Sequence, residues 1–86
     1  MLYSYDHMNN NAKKLQQLGQ LIKMERKARQ LTQTELGSLS GTSINFISQI
    51  EAGKATAHIG KVLGVLQVLG FELHYVRGSK GIVIND

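Results

Sequence analysis

Two short amphipathic segments on either side of Gly41 constrain the fold of this chain more than any other feature. The first begins at Thr32, which with Glu35 three residues later predicts a capping box: the Thr32 hydroxyl accepts from the Glu35 amide, and the carboxylate accepts from the Thr32 amide. Ser43, a preferred N-cap residue, predicts a second short helix over residues 44–51. Because glycine enters the left-handed conformation at little cost, Gly41 predicts a tight corner between the two helices.

Hydrophobic periodicity predicts two longer helices around this corner. Apolar residues at spacings of three and four indicate a first helix over residues 13–29. A fourth helix is predicted from about residue 57 to residue 69, with Thr56 as its N-cap. From Phe71 the apolar period changes to two, which predicts a strand over residues 71–76.

The same periodicity gives the expected domain organisation. Residues 1–12 have no apolar period and are predicted to form a flexible arm, whereas a second short strand is predicted at residues 82–84. The expected division is an N-terminal arm over 1–12, a helical domain over 13–70 and a C-terminal strand and tail over 71–86.

The third helix is predicted to leave one face uncovered. Leu36, Leu39, Ile47 and Ile50 are the expected apolar anchors beneath the corner. The opposite face then carries short polar groups and one aliphatic side chain, which suit the base edges of a DNA major groove. The predicted base-contacting residues are Ser43, Ile44, Asn45, Ser48 and Gln49, with Phe46 beside them.

The charge and composition of the chain agree with a nucleic-acid partner. Ten lysines and arginines against six acidic residues give a net charge of +4, which favours polyanions. There are no cysteines, which fits a reducing compartment. No apolar run is long enough to span a membrane, and the N-terminal residues lack the pattern of a secretory signal, so a cytoplasmic location without membrane contact is expected.

The sequence contains no pattern typical of catalysis. His7, His58 and His74 lack the spacing of a zinc site, and no hydrolase elbow or glycine-rich nucleotide loop occurs. We therefore expect neither an enzyme nor a bound cofactor or metal.

The chain from about Leu15 to Gly70 resembles the Cro and phage-repressor type of helix-turn-helix domain, also called the XRE type. The residues that carry the resemblance are Leu31-Thr32-Gln33-Thr34-Glu35-Leu36, Gly41 and Ile47-Ser48-Gln49-Ile50-Glu51-Ala52-Gly53-Lys54. The continuation through Gly70 to Val76 is most similar to HipB-like antitoxins. This resemblance implies a lambda-repressor-like, mainly α domain of four to five helices whose C-terminal β-strand pairs across a dimer. It also implies a palindromic operator in double-stranded DNA and a HipA-like kinase toxin as a second partner.

The resemblance assigns roles to several residues by position. Gln33 is similar to a glutamine that grips phosphate and supports base recognition, and Lys54 is placed for a backbone phosphate. Arg26 and Glu51 match a pair that forms an internal salt bridge in the family. Where the family often has glycine after the first helix, this chain has Gln30, which predicts a less tight turn there. The full set of expected phosphate contacts is Gln33, Thr32, Thr42, Lys54, Lys23 and Arg29.

The fourth helix and the tail carry more apolar surface than a chain of this size can cover by itself. We therefore expect a homodimer. The predicted interface residues are Val62, Leu66, Phe71, Leu73 and Tyr75. Two alternatives to DNA binding remain open at this point: a purely structural helical corner, and a module that binds protein through the same helices.

Overall fold

The longest element is helix α1, which extends from Leu2 to Ala28. The computed structural model describes the backbone of residues 2–78 and the side chains of residues 11–78. Helix α1 includes residues 2–12, over which the sequence predicts a flexible arm. No proline or glycine precedes Gly19, so nothing interrupts helix propagation towards the N-terminus.

Helix α2 comprises Gln33–Ser40 and begins with the predicted capping box. The Glu35 amide donates to the Thr32 hydroxyl at 3.0 Å, and the Thr32 amide donates to the Glu35 carboxylate at 2.8 Å. The helix ends at Gly41, whose φ of 70° is left-handed, as predicted for the corner.

Helix α3 comprises Ile44–Glu51 and is capped by Ser43, whose hydroxyl accepts from the Phe46 amide at 3.1 Å. It packs against both α1 and α2. Both short helices of the predicted corner are therefore present, with the expected caps.

Helix α4 comprises Ile59–Val68 and packs against α2. It begins later than expected, and the prediction of Thr56 as its N-cap is wrong. The N-cap position is His58, and the Thr56 hydroxyl instead accepts from the His58 amide at 3.0 Å, closing a turn before the helix.

The core lies where α1, α2, α3 and α4 meet. Its buried apolar residues are Ile22, Leu36, Ile47, Ile50, Val62, Val65, Leu66 and Leu69.

Leu39 is not a core anchor, contrary to prediction, because its side chain is 60% exposed. Helix α4 approaches α2 at Ser40, where the Ser40 carbonyl oxygen is the atom nearest to a Cβ added to Gly64, at 3.9 Å. This crossing covers the side of α2 that carries Leu36 and leaves Leu39 in solvent.

The predicted dimer residues Val62 and Leu66 are also placed differently by the structure. They are 6% and 5% exposed and belong to the core of their own chain. The assignment of these two side chains to a dimer surface is therefore wrong. The apolar residues that α4 turns outward are Ile59, 65% exposed, and Leu63, 39% exposed.

The tail follows Gly70, which has a left-handed φ of 81°. Phe71 is half-buried against the core, whereas Leu73 and Tyr75 are exposed. Residues 71–78 have no regular secondary structure, and the described part of this single chain offers no second strand with which they could pair. The strand at 71–76 thus stays a prediction, and the one at 82–84 lies outside the described residues.

Candidate nucleic-acid interface

The outer face of α3 is the candidate recognition surface. Ile47 is fully buried and Ile50 is 6% exposed, so these two residues fix the inner face of the helix. Ser43 and the four residues Ile44, Asn45, Ser48 and Gln49 are exposed, as predicted. Their side chains combine amide and hydroxyl groups with one aliphatic group, which can contact base edges and a thymine methyl.

Phe46 differs from the other predicted base-contacting residues because it is half-buried and packs against the core. The Nζ atom of Lys61, on the first turn of α4, lies 5.9 Å from the centroid of the Phe46 ring. This contact joins the start of α4 to one edge of α3. No pattern in the sequence predicts this contact, since the two residues are brought together only by the crossing of the helices.

Glu51, at the end of α3, is held in a buried ion pair with Arg26 of α1. Arg26 Nε donates to Glu51 Oε2 at 2.6 Å, and Nη2 donates to Oε1 at 3.1 Å. Arg26 Nη1 also donates to the Leu31 carbonyl oxygen at 2.8 Å, which ties the link before α2 to the same group. The structure thus forms the internal salt bridge that the resemblance implied. A bidentate pair of this kind fixes the relative orientation of the two side chains as well as their distance.

Gln33 joins this network from the first residue of α2. Its Nε2 amide donates to Glu51 Oε1 at 3.0 Å, so one carboxylate holds α1, α2 and α3 together. The start of α2 is thereby fixed beside the end of the recognition surface. A second N–H of the same amide remains available for the phosphate contact predicted for Gln33.

The two threonines predicted to contact phosphate have internal partners at opposite ends of α2. The hydroxyl and amide of Thr32 take part in the capping box. The Thr42 hydroxyl lies 3.1 Å from the Ser40 hydroxyl, within hydrogen-bonding distance. Thr32 thus lies at the start of α2, whereas Thr42 follows the corner at Gly41.

The basic residues predicted to contact phosphate are not all brought together. Lys54 is exposed immediately after α3, and Lys23 is exposed on α1 one turn before Arg26. Arg29 lies elsewhere: its Nε donates to Glu25 at 3.0 Å, and a Cβ atom added to Gly70 would be 2.8 Å from its Nη2. It therefore lies at the C-terminal end of α4, away from the end that contacts α3.

Gln30 also differs from expectation. The sequence predicted a less tight turn where the family often has glycine, but Gln30 adopts a left-handed φ of 59°. Its backbone makes the same turn that glycine would make, at a conformational cost.

The part of the chain that the structure describes holds neither a metal site nor a membrane span. Among the residues whose side chains are described, no group of three or more metal-ligating side chains is close enough to hold an ion. Within the described helices there is also no segment with the length and hydropathy of a bilayer span.

A capped helix with an exposed polar face, fixed by a glycine corner against a second short helix, defines the class of helix-turn-helix DNA-binding proteins. The model of a helix-turn-helix domain family matches residues 17–77. The chain belongs to this helix-turn-helix family, of the XRE-like type.

Two similar proteins agree with this assignment. The chain is 51% identical over 53 residues to an uncharacterized HTH-type transcriptional regulator, y4mF, of Sinorhizobium fredii, a match that covers 62% of this chain and 70% of the relative. The crystal structure of the restriction-modification controller protein C.AhdI from Aeromonas hydrophila is similar with a TM-score of 0.64 and 26% identity. That similarity covers 71% of this chain and 88% of the controller.

Proposed function

We propose that this chain is a sequence-specific repressor of transcription that binds a palindromic operator as a homodimer. The observation that carries the proposal is the exposed outer face of α3, where Asn45 and Gln49 lie in solvent while Ile47 anchors the helix from beneath. Asn and Gln form paired hydrogen bonds with the N6 and N7 edge of adenine. Repression follows if the bound dimer covers a promoter and excludes polymerase.

The proposed dimer brings two such faces to one side of the assembly. Recognition helices about 34 Å apart enter successive major grooves, so the operator is an inverted repeat. On α4 the outward residues Ile59 and Leu63 are apolar, and nothing lies within 4 Å of a Cβ atom added to Gly60 between them. A second copy can approach this face closely, and exposed Leu73 and Tyr75 can pair with the tail of that copy.

Phosphate contacts supply most of the affinity in this proposal. Lys54 is exposed immediately after α3 and Lys23 is exposed on α1, while Gln33 and the two threonines, Thr32 and Thr42, lie at the ends of α2. These groups fix the register of α3 on the duplex, whereas the side chains of α3 select the sequence.

A finer proposal is that the protein is a HipB-like antitoxin with a HipA-like kinase as a second partner. Its support is the sequence resemblance of the segment from Gly53 to Val76. Co-expression with the product of the adjacent reading frame tests it: a kinase that co-purifies and whose activity falls in the complex supports the antitoxin role. A neighbouring frame that encodes no kinase, together with purification of the repressor alone, contradicts it.

The proposed repressor is not an enzyme. Its proposed location is the cytoplasm. A cavity of about 190 Å³ between α1, the end of α3 and the start of α4 offers no acid–base pair, because Lys54 is its sole titratable lining residue. No cofactor is assigned to it.

Gel shifts with genomic fragments at several salt concentrations test DNA binding against the protein-module alternative. A specific fragment should be shifted, with a log–log salt slope of about 0.9 per phosphate contact. Lys54→Ala should weaken binding to all sequences about equally, whereas Asn45→Ala should weaken binding to the specific fragment most. A flat salt dependence, or no shifted fragment, would favour a module that binds protein through these helices.

A further inference from the structure

The contact between Lys61 and Phe46 lies at the edge of the recognition surface and has no part in the function proposed above. Lys61 extends from the first turn of α4, and its Nζ atom lies 5.9 Å from the Phe46 ring centroid. Phe46 is half-buried and packs against the core, so its ring has a fixed position. Attraction between the ammonium and the ring face holds the lysine beside α3.

Helical geometry places this contact on one border of the exposed face. Successive residues of an α-helix are rotated by about 100°, so Phe46 and Glu51 fall on opposite borders of the face that carries Asn45 and Ser48. The Glu51 border is occupied by Gln33 of α2. The Phe46 border is occupied by Lys61 of α4. A duplex seated on this face has one phosphate strand along each border, because the major groove lies between two backbones.

The charge of Lys61 is available on that border. Among the described side chains, the ion pairs join Arg26 to Glu51, Arg29 to Glu25 and His74 to Glu72, and none involves Lys61. The lysine side chain is exposed, and its ammonium has three donors. A cation that is positioned but not neutralised is suited to an anionic ligand.

We infer that Lys61 binds a backbone phosphate of the operator on the Phe46 border of α3, and that the Phe46 ring positions its ammonium. This inference rests on the proposed DNA-binding function. The start of α2 and Lys61 then contact the two phosphate backbones that border one major groove, and α3 lies between them. Phe46 serves as a platform for the cation and makes no base contact of its own.

Fluorescence anisotropy with an operator duplex, measured over a series of salt concentrations, tests the inference. For Lys61→Ala we expect weaker binding on all sequences alike and a log–log salt slope shallower by about 0.9, the value for one phosphate. Lys61→Arg should restore the slope. Lys27→Ala is the matched control, since it removes one positive charge from an exposed lysine in the last turn of α1, and it should leave the slope unchanged.

A double-mutant cycle tests the role of the ring. Phe46→Leu keeps an apolar side chain but removes the π face, and we expect it to weaken binding severalfold without changing sequence preference. In the Lys61→Ala background the same substitution should cost nothing further, since the cation it positions is absent. Additive losses, or a changed sequence preference for Phe46→Leu, would overturn the platform role.

The outcomes separate this inference from the proposed function. If wild-type protein binds its duplex and Asn45→Ala weakens it, while Lys61→Ala keeps the wild-type slope, only the inference about Lys61 fails. Equal loss of slope in Lys61→Ala and Lys27→Ala would also overturn it, because the effect would then come from net charge alone. If the wild-type protein binds no duplex specifically, both claims fail.

Discussion

Gly19 of α1 lies so close to Glu51 at the end of α3 that a Cβ atom on the glycine would be 2.6 Å from the Glu51 carbonyl oxygen. The same Cβ would also collide with the Ile50 carbonyl oxygen. Both obstacles are backbone atoms, which cannot move aside as a flexible side chain can. The absence of a side chain at Gly19 therefore sets the distance between α1 and the recognition helix.

Gly19→Ala should lower the free energy of unfolding by about 1–3 kcal/mol, the usual cost of overpacking, even though alanine has the higher helix propensity. Urea unfolding followed by circular dichroism measures it. Gln20→Ala is the control, since Gln20 is exposed on the same helix and should change stability little. Equal stability of Gly19→Ala and wild type would contradict the close packing of α1 on α3.

The Arg26–Glu51 pair is expected to be structural. Arg26→Ala leaves a carboxylate buried without its main partner, which should cost about 3–5 kcal/mol of unfolding free energy. Glu51→Gln removes the charge but keeps an acceptor for Arg26 and Gln33, so it should cost less. Thermal unfolding of both variants shows which one loses more stability. If Arg26→Ala is as stable as the wild type, the ion pair does not stabilise the fold.

The left-handed backbone of Gln30 predicts a stabilising substitution. A side chain at a φ of 59° costs about 1–2 kcal/mol, and glycine avoids this cost although it loses more entropy on folding. Gln30→Gly should therefore raise the unfolding free energy by on the order of 1 kcal/mol. Gln30→Ala keeps the Cβ atom and should not raise the unfolding free energy in this way. If alanine raised it as much as glycine, the cause would be the rest of the glutamine side chain and not the backbone conformation.

Substitutions at Leu63 and Leu66 of α4 should affect different properties: the first should weaken association, and the second should lower the stability of the fold. Leu63 faces outward, so Leu63→Asp should weaken the proposed homodimer in sedimentation equilibrium while the monomer stays folded. Leu66 is 5% exposed, so Leu66→Ala should cost about 2–5 kcal/mol of unfolding free energy through the cavity it leaves.

The control for Leu63→Asp is Gln20→Asp, which adds the same charge on exposed α1. A dimer that survives Leu63→Asp unchanged would show that the outer face of α4 is not the interface.

The parts of this fold that depend on local chemistry could be predicted from the sequence. The Thr32–Glu35 capping box and the Ser43 cap involve groups only three residues apart, so their hydrogen bonds follow from residue type and spacing. The exposed face of α3 followed as well, because Ile47 and Ile50 define its buried side.

Features that depend on how the helices cross could not be predicted in the same way. Helix α4 is apolar around most of its circumference, so its pattern does not reveal that Val62 and Leu66 face inward while Leu63 faces outward. The exposure of Leu39, the approach at Gly19 and the contact of Lys61 with Phe46 each depend on a pair of helices distant in sequence.

Selection of bound duplexes from a random pool, carried out with wild type and with Gln49→Ala, tests the central claim most directly. Two outward α3 faces in the proposed homodimer predict an inverted repeat whose half-sites are centred about 10–10.5 base pairs apart, or a multiple of this spacing. Gln49→Ala should keep the spacing and lose preference at one symmetry-related pair of positions. Recovery of no motif by the wild type, or of an unchanged motif by Gln49→Ala, would contradict recognition through this face.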